Sequence, residues 1–443
     1  MKIKDKNYET ILSESKHTIP ETAKFWFSLD NAAKIFPAII TEEVSTVFRL
    51  TAVLKDPVRI SALRKAVLTA EKRFPFYKVQ LKKGFFWYYL EHLPRHIPIV
   101  ADHQGYCRKF SKGELLIRIP VKNNRVSIEF SHILTDGGGG FEFLRTVLVL
   151  YAQACGRKIP EEYQFQNPEE QISKEEYEDA YKRYFKEDIP PTIKKTKAFH
   201  YPYPPKPPPR FERLNVTLSL QEIKRVADEK GVSLTVYLVA VYLFTLQDIY
   251  ENLSGFKKYK KNKVLRVQVP INLRRIFPSK TMRNFSLFVM PEIDLRLGHY
   301  TFSEIIKTVY HQVQLETDEK LINKNISRNV GSEKKIYVRS IPLVIKSLIL
   351  RMKHKSLGPS QYSGVVTNLG KAKLPVETED MIDHFVITPP PPDDLLKINC
   401  GIIGFDDKLV LSFGNITTSG EFEQKFLEFI EARGIQVQRE EEL

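Results

Sequence analysis

The chain has 443 residues, long for one hydrophobic core, so two lobes of ordinary domain size are expected. A hydrophobic fraction of 42% with 27% charged residues describes a soluble globular chain and excludes a disordered one. The formal net charge of +15 selects no partner class. Its lysines and arginines are spread without a nucleic-acid-binding signature, and an anionic small ligand, an acidic carrier protein or a membrane surface would serve them equally.

The opening stretch "MKIKDKNYETILSESKH" lacks the apolar core of a signal peptide. Cys107, Cys155 and Cys400 show no disulfide or CxxC spacing, so a reducing, cytoplasmic location is expected. "STVFRLTAVL" reads as a strand. "DPVRISALRKAVLTAEKRFP" reads as a helix capped by Asp56 and Pro57, with Leu63, Ala66, Val67 and Ala70 as its apolar stripe. Two hairpins follow, turning at Lys83-Gly84 and at Asn123-Asn124. Beyond a glycine-led helix, Tyr177, Tyr181 and Tyr184 recur at helical spacing in a charged segment, which predicts a solvated helix with one aromatic face packed down.

The proline-rich stretch from Ile189 to Arg210 is expected to be a stiff connector between lobes 1–195 and 196–443. The second half opens with the strand "RFERLNVTLS" and a helix stopped by Gly231. "VSLTVYLVAVYLFTL" is too short and too rich in hydroxyls for a membrane span, and predicts a buried helix. "KVLRVQVPINLRRIFPS" is a strand running into an arginine pair. Ser340 to Gly358 is apolar with interspersed cations. It is expected to form a partly buried helix with its cations at a favourable C-terminus, the alternative being a segment lying on a membrane surface. Two strands and a helix close the chain.

The chemistry concentrates in "RVSIEFSHILTDGGGGFEFL". By alternation Val126, Ile128, Phe130 and His132 share one strand face, and Ser127, Glu129 and Ser131 the other. A lone histidine on an apolar face is ordinarily a core residue satisfied by a carbonyl. Here Asp136 and Gly137 to Gly140 follow it, so bare backbone and the unpaired amides of a nascent helix lie beside the ring. An imidazole in that setting is a good general base. The glycines form neither a P-loop nor a dinucleotide fingerprint, and one histidine with one aspartate is too few ligands for a metal site.

"HILTDG" (His132 to Gly137) resembles the HxxxDG signature of acyltransferases with the chloramphenicol-acetyltransferase-like fold, a group that includes nonribosomal peptide condensation domains and plant BAHD acyltransferases. "FWFSLDNAAKIFP", "VPINLRRIFPSKTMRNF" and "VVTNLG" resemble further segments of that group in the expected order. Ser131 stands where condensation domains usually carry a second histidine, and the DFGWG segment of BAHD enzymes is replaced by "LSFGNI". The resemblance is greatest to microbial alcohol acetyltransferases.

This resemblance implies an α/β protein of two lobes, each a mixed sheet flanked by helices, with a reaction tunnel between them. It implies His132 as general base, acyl-coenzyme A (acetyl-CoA above all) as co-substrate, and an alcohol or amine as acceptor. Asp136 would point away from the tunnel and pair with Arg274, or next with Arg275. Thr367, Asn368 and amides near Gly137 are candidate oxyanion donors, although Asn-x-Gly is also an ordinary turn pattern. An acyl donor held on a carrier protein, and a non-catalytic binding protein of the same fold, are the alternative readings.

Overall fold

Strand order along this chain is not strand order within its sheets. The computed structural model describes residues 25–102, 107–161, 163, 165–190, 195–255 and 262–440. The opening stretch and residues 191–194 of the proline-rich connector lie outside the described residues. Strands β1 (Trp26–Ser28), β2 (Val47–Leu54), β3 (Val79–Lys83), β4 (Tyr88–His92), β5 (Ile99–Ala101), β6 (Ile117–Lys122) and β7 (Arg125–Ser131) come from the first half. The second half supplies β8 (Glu212–Ser219), β9 (Val264–Asn272), β10 (Ser286–Val289), β11 (Glu292–Asp294), β12 (Gly364–Lys371), β13 (Ile382–Thr388), β14 (Ile398–Phe405), β15 (Lys408–Asn415) and β16 (Val437–Arg439).

The first lobe is built on a five-stranded sheet ordered β13-β2-β7-β6-β5. Asn123, at φ 51°, supplies the left-handed residue of the β6–β7 turn, and Lys122 pairs with Arg125 across it. The helices Ile60–Arg73 and Gly137–Ala154 pack against each other over this sheet, with Leu63, Val67, Phe130 and Phe143 in one core. The second lobe is an eight-stranded mixed sheet in the order β10-β9-β12-β14-β15-β8-β16, with β11 also on β9. Its core is closed by the buried helix Leu234–Glu251 with Phe302–Glu316 and Glu421–Glu431. A small third sheet, β1-β4-β3, flanks the first lobe.

Several details depart from the sequence-based expectations, each because a distant contact competes with the local pattern. A division at residue 195 describes the chain and not the sheets, since β13 pairs with β2 inside the first lobe. The helix expected from Asp56 begins at Ile60, because Val58 N–H donates to Asn123 C=O (3.0 Å) and holds the chain along the hairpin turn. The β3–β4 connection spans Gly84 to Trp87 and is not a two-residue turn; its tip carbonyls at Phe85 and Phe86 accept from Leu343 N–H and Lys346 Nζ.

The tyrosine segment is not one helix; it forms a single turn at Lys174–Glu176 and a short helix, Ala180–Arg183. Its carbonyls at Glu176, Tyr177 and Glu178 accept from Met282, Arg283 and Thr281, which ties them to the second lobe in place of a continuous helical ladder. The aromatic packing survives through Tyr181 on Phe285 and Tyr184 on Phe277. The helix Leu343–Leu357, expected to be partly buried, is buried on an unexpected side. It buries Leu343 and Lys346 and leaves Val344, Ile345, Leu348, Ile349 and Met352 exposed.

Candidate active site

The strand alternation of β7 runs one residue past its last ladder pair. His132 N–H donates to Thr46 C=O (2.9 Å), so the ring continues the row of Val126, Ile128 and Phe130. It lies half-buried between Phe36 and Phe48, with centroids 5.5 and 4.6 Å away. Its other side faces a cavity of about 2400 Å³ that is lined from both lobes. That volume exceeds the roughly 300–1,000 Å³ of an ordinary small-molecule pocket.

Four residues on, Asp136 caps the glycine-led helix: Gly139 N–H donates to its Oδ1 at 3.0 Å. Its Oδ2 accepts from Phe285 N–H (2.7 Å) and from Arg274 Nη1 (3.0 Å). Both carboxylate oxygens are thereby engaged away from the histidine ring. Burial alone would push the Asp136 carboxyl up, but the Arg274 guanidinium and these donors outweigh it and hold it below the usual carboxylate range. Arg274 is fixed in turn by Nε donation to Thr281 C=O (2.8 Å) and by a bond from Nη2 to Arg283 C=O. Arg275 is exposed and lines the cavity without joining this pair.

Residues 281–285, between β9 and β10, form a strap from the second lobe around the His132–Asp136 loop. Met282 C=O accepts from Tyr77 Oη (2.7 Å) and Thr135 Oγ1, and Asn284 Nδ2 donates to His132 C=O (2.9 Å). Asn284 also bonds Asp30, whose carboxyl burial raises to about 6. Sequence reasoning missed Asn284, Met282, Tyr77 and Asp30. The only signal was "TMRNF" and "SLDN", polar residues set in apolar text, with no period linking them to a histidine 100 or more residues away.

Burial lowers the pKa of the His132 ring below the ordinary histidine value. The Asp136 charge, the Thr135 backbone and the Asn284 side chain favour the imidazolium and offset burial only in part.

Thr367 and Asn368 on β12 both line the cavity, but their side chains are used differently. Asn368 Oδ1 accepts from Gly370 N–H (2.8 Å) and Nδ2 donates to Thr235 Oγ1 (3.0 Å), the pattern of a turn with Gly370 at φ 81°. Thr367 lines the cavity with Val365 and Leu369, the residues two before and two after it on the strand. A Cβ on Gly137 would come 2.9 Å from the flexible end of Leu369, so the glycine turn and β12 meet across the cavity.

The four glycines are not equivalent. A Cβ on Gly139 would fall 2.2 Å from Met282 C=O and 2.4 Å from Thr135 Oγ1, against backbone of the strap that cannot yield. Gly139→Ala is therefore expected to destabilise by ~1–3 kcal/mol, the cost of overpacking, despite the better helix propensity of alanine. Gly137→Ala meets only a leucine methyl and is expected to melt within ~0.5 kcal/mol of the parent. Chemical denaturation of the two variants checks the contrast, and equal midpoints would contradict the strap packing.

No family model matches the chain, and no curated protein matches it by sequence. Solved structures do match along nearly its whole length. TRI101 of F. sporotrichioides, complexed with coenzyme A and T-2, aligns with TM-score 0.60 at 11% identity, over 94% of this chain and 99% of that one. TRI3 trichothecene 15-O-acetyltransferase from Fusarium sporotrichioides aligns with TM-score 0.59 at 10% identity, over 94% and 97%. The starter condensation domain of rhizomide synthetase RzmA aligns with TM-score 0.54 at 11% identity, over 92% and 96%. This is the chloramphenicol-acetyltransferase-like fold. Both lobes are present, and the cavity with His132 on its wall is lined from both of them.

Proposed function

We propose that the protein is an acyltransferase that moves an acyl group, acetyl above all, from acyl-coenzyme A to a hydroxyl acceptor. The observation that carries this reading is the His132 ring on the wall of an inter-lobe cavity while the neighbouring Asp136 carboxylate is committed to Arg274 and the Phe285 amide. His132 accepts the proton from the acceptor hydroxyl as its oxygen attacks the thioester carbonyl carbon. The carbon–sulfur bond then breaks, and the imidazolium returns the proton to the departing thiolate. Thr367 is assigned to the oxyanion of the tetrahedral intermediate, with amides of the first helical turn near Gly137. Asn368 holds β12 in register beside it, and Asp136 with Arg274 and Asn284 positions the histidine loop.

The lining chemistry fits a phosphorylated thioester. Among the described residues eleven Lys and Arg against seven Asp and Glu line the cavity, and Arg275, Lys280 and Lys371 are exposed along it. Cations of this kind are suited to coenzyme A phosphates.

The test is thiol release from acetyl-CoA with panels of alcohols and amines, run beside the same acetyl group on a phosphopantetheinyl carrier protein. Turnover with free acetyl-CoA and an alcohol supports the reading. Turnover confined to the carrier-bound donor would replace it with the condensation-type reaction, and no release from either donor would leave a binding protein of this fold.

The pH profile is a second check. A depressed histidine pKa keeps the base form present as pH falls, so the acidic limb of kcat/KM should be centred below the ordinary histidine value near ~6.5. An acidic limb centred above pH 7 would be incompatible with His132 as the base.

A further inference from the structure

The helix Leu343–Leu357 turns its apolar residues outward. Leu348 is 60% exposed, and Val344, Ile345, Ile349 and Met352 are exposed with it. Their positions share an arc of about 140° at the 100° per residue of an α-helix. The preceding helix Ile336–Ser340 adds Ile336 at 81% exposure and Tyr337. The β3–β4 tip adds Phe85 at 72%, held to this helix by Leu343 N–H donating to Phe85 C=O (2.9 Å). Monomeric soluble proteins seldom leave so many large apolar groups exposed together without a use for them.

The charge pattern of the same stretch of chain is one-sided. Between Glu333 and Glu377 the sequence has no Asp or Glu, while Lys334, Lys335, Arg339, Lys346, Arg351, Lys353 and Lys355 fall within the first half of that stretch. Arg351 and Lys353, both exposed, lie on opposite edges of the apolar arc. A second copy of this chain on the face would set like charges against each other, with no acid within residues 334–376 to answer them. Lipid acyl chains and anionic headgroups answer both parts at once. On the helix's inner side Leu350 and His354 line the cavity, so the face covers one wall of the site. No single helix among the described residues is long and apolar enough to cross a membrane.

We propose that this face docks the protein onto the surface of an anionic lipid bilayer, with the Leu343–Leu357 helix lying at the boundary between headgroups and acyl chains. The proposal does not depend on the catalytic reading, because docking is measured without turnover. The consequence for the site is that its helical wall would lie against the bilayer.

Full-length protein is to be pelleted with vesicles of phosphatidylcholine, with and without phosphatidylglycerol, at low and high salt. Pelleting is expected with the anionic vesicles and should fall when salt is raised or phosphatidylglycerol is left out. Ile345→Asp with Leu348→Asp should weaken partition by about tenfold or more, with an unchanged melt since both positions are exposed. Lys353→Glu with Lys355→Glu should weaken binding to anionic vesicles only. Should the aspartate pair fold poorly, Ile345→Gln with Leu348→Gln reads the same contact. Undiminished pelleting of the apolar variants would overturn the proposal, as would the absence of any vesicle binding. A dimer abolished by the same variants, with no vesicle binding, would assign the face to a second copy and overturn it equally.

Discussion

His132→Ala is expected to lose acyl transfer by ~100- to 10,000-fold, the usual contribution of a general base, while the protein still unfolds cooperatively. The ring packs on Phe36 and Phe48 on one side only, and its other side faces the open cavity. Truncation therefore enlarges a space that water already reaches, and its stability cost should stay near ~1 kcal/mol. The backbone bonds that place the residue, to Thr46 and Asn284, use its amide and carbonyl and survive the substitution. Thiol release and denaturant unfolding on one preparation separate the two effects. Turnover within a few-fold of the parent in the folded variant would remove His132 from the mechanism.

Asp136→Asn is expected to reverse that balance, with stability falling by ~3–5 kcal/mol, the cost of breaking a buried pair from one side. The carboxylate accepts from Gly139, Phe285 and Arg274, and an amide can offer an acceptor to only one of its two sides. In either orientation a donor then faces a donor, and Arg274 keeps its charge in a largely enclosed site. Because this loop is where the two lobes are tied, activity should fall with the loosening of His132.

The sign of the pH effect follows from the lowered Asp136 pKa. The stability it contributes is present above the unfolded carboxylate value near ~3.9 and is lost as pH falls through the lower folded value. The stability gap between parent and Asp136→Asn should accordingly close in acid. A gap that persists unchanged below pH 3 would show that the loss comes from packing and not from the charge.

How much of this was legible in the sequence depends on the reach of each pattern. The β6–β7 hairpin, the stripe Leu63, Ala66, Val67 and Ala70, and the buried helix Leu234–Glu251 were all readable, because strand alternation and helical period act over a few residues. The placement of His132 at the end of β7 and the glycine-led helix after Asp136 were readable for the same reason.

What only the tertiary structure decided involves partners distant in the chain. The insertion of β13 beside β2 joins residues more than 300 apart, and no local period encodes it. The strap that brings Met282, Asn284 and Phe285 onto the His132–Asp136 loop also ties down the carbonyls of 176–178, where the expected tyrosine helix breaks. The helix Leu343–Leu357 is the clearest case. Its period shows an apolar arc but cannot say which side meets protein, and here the buried side carries Lys346. That ammonium lies 3.6 Å from the Trp87 ring centroid and bonds Phe86 C=O, contacts that offset its desolvation. Periodicity sorts residues by face, but a face is buried only where another part of the chain supplies the surface to cover it.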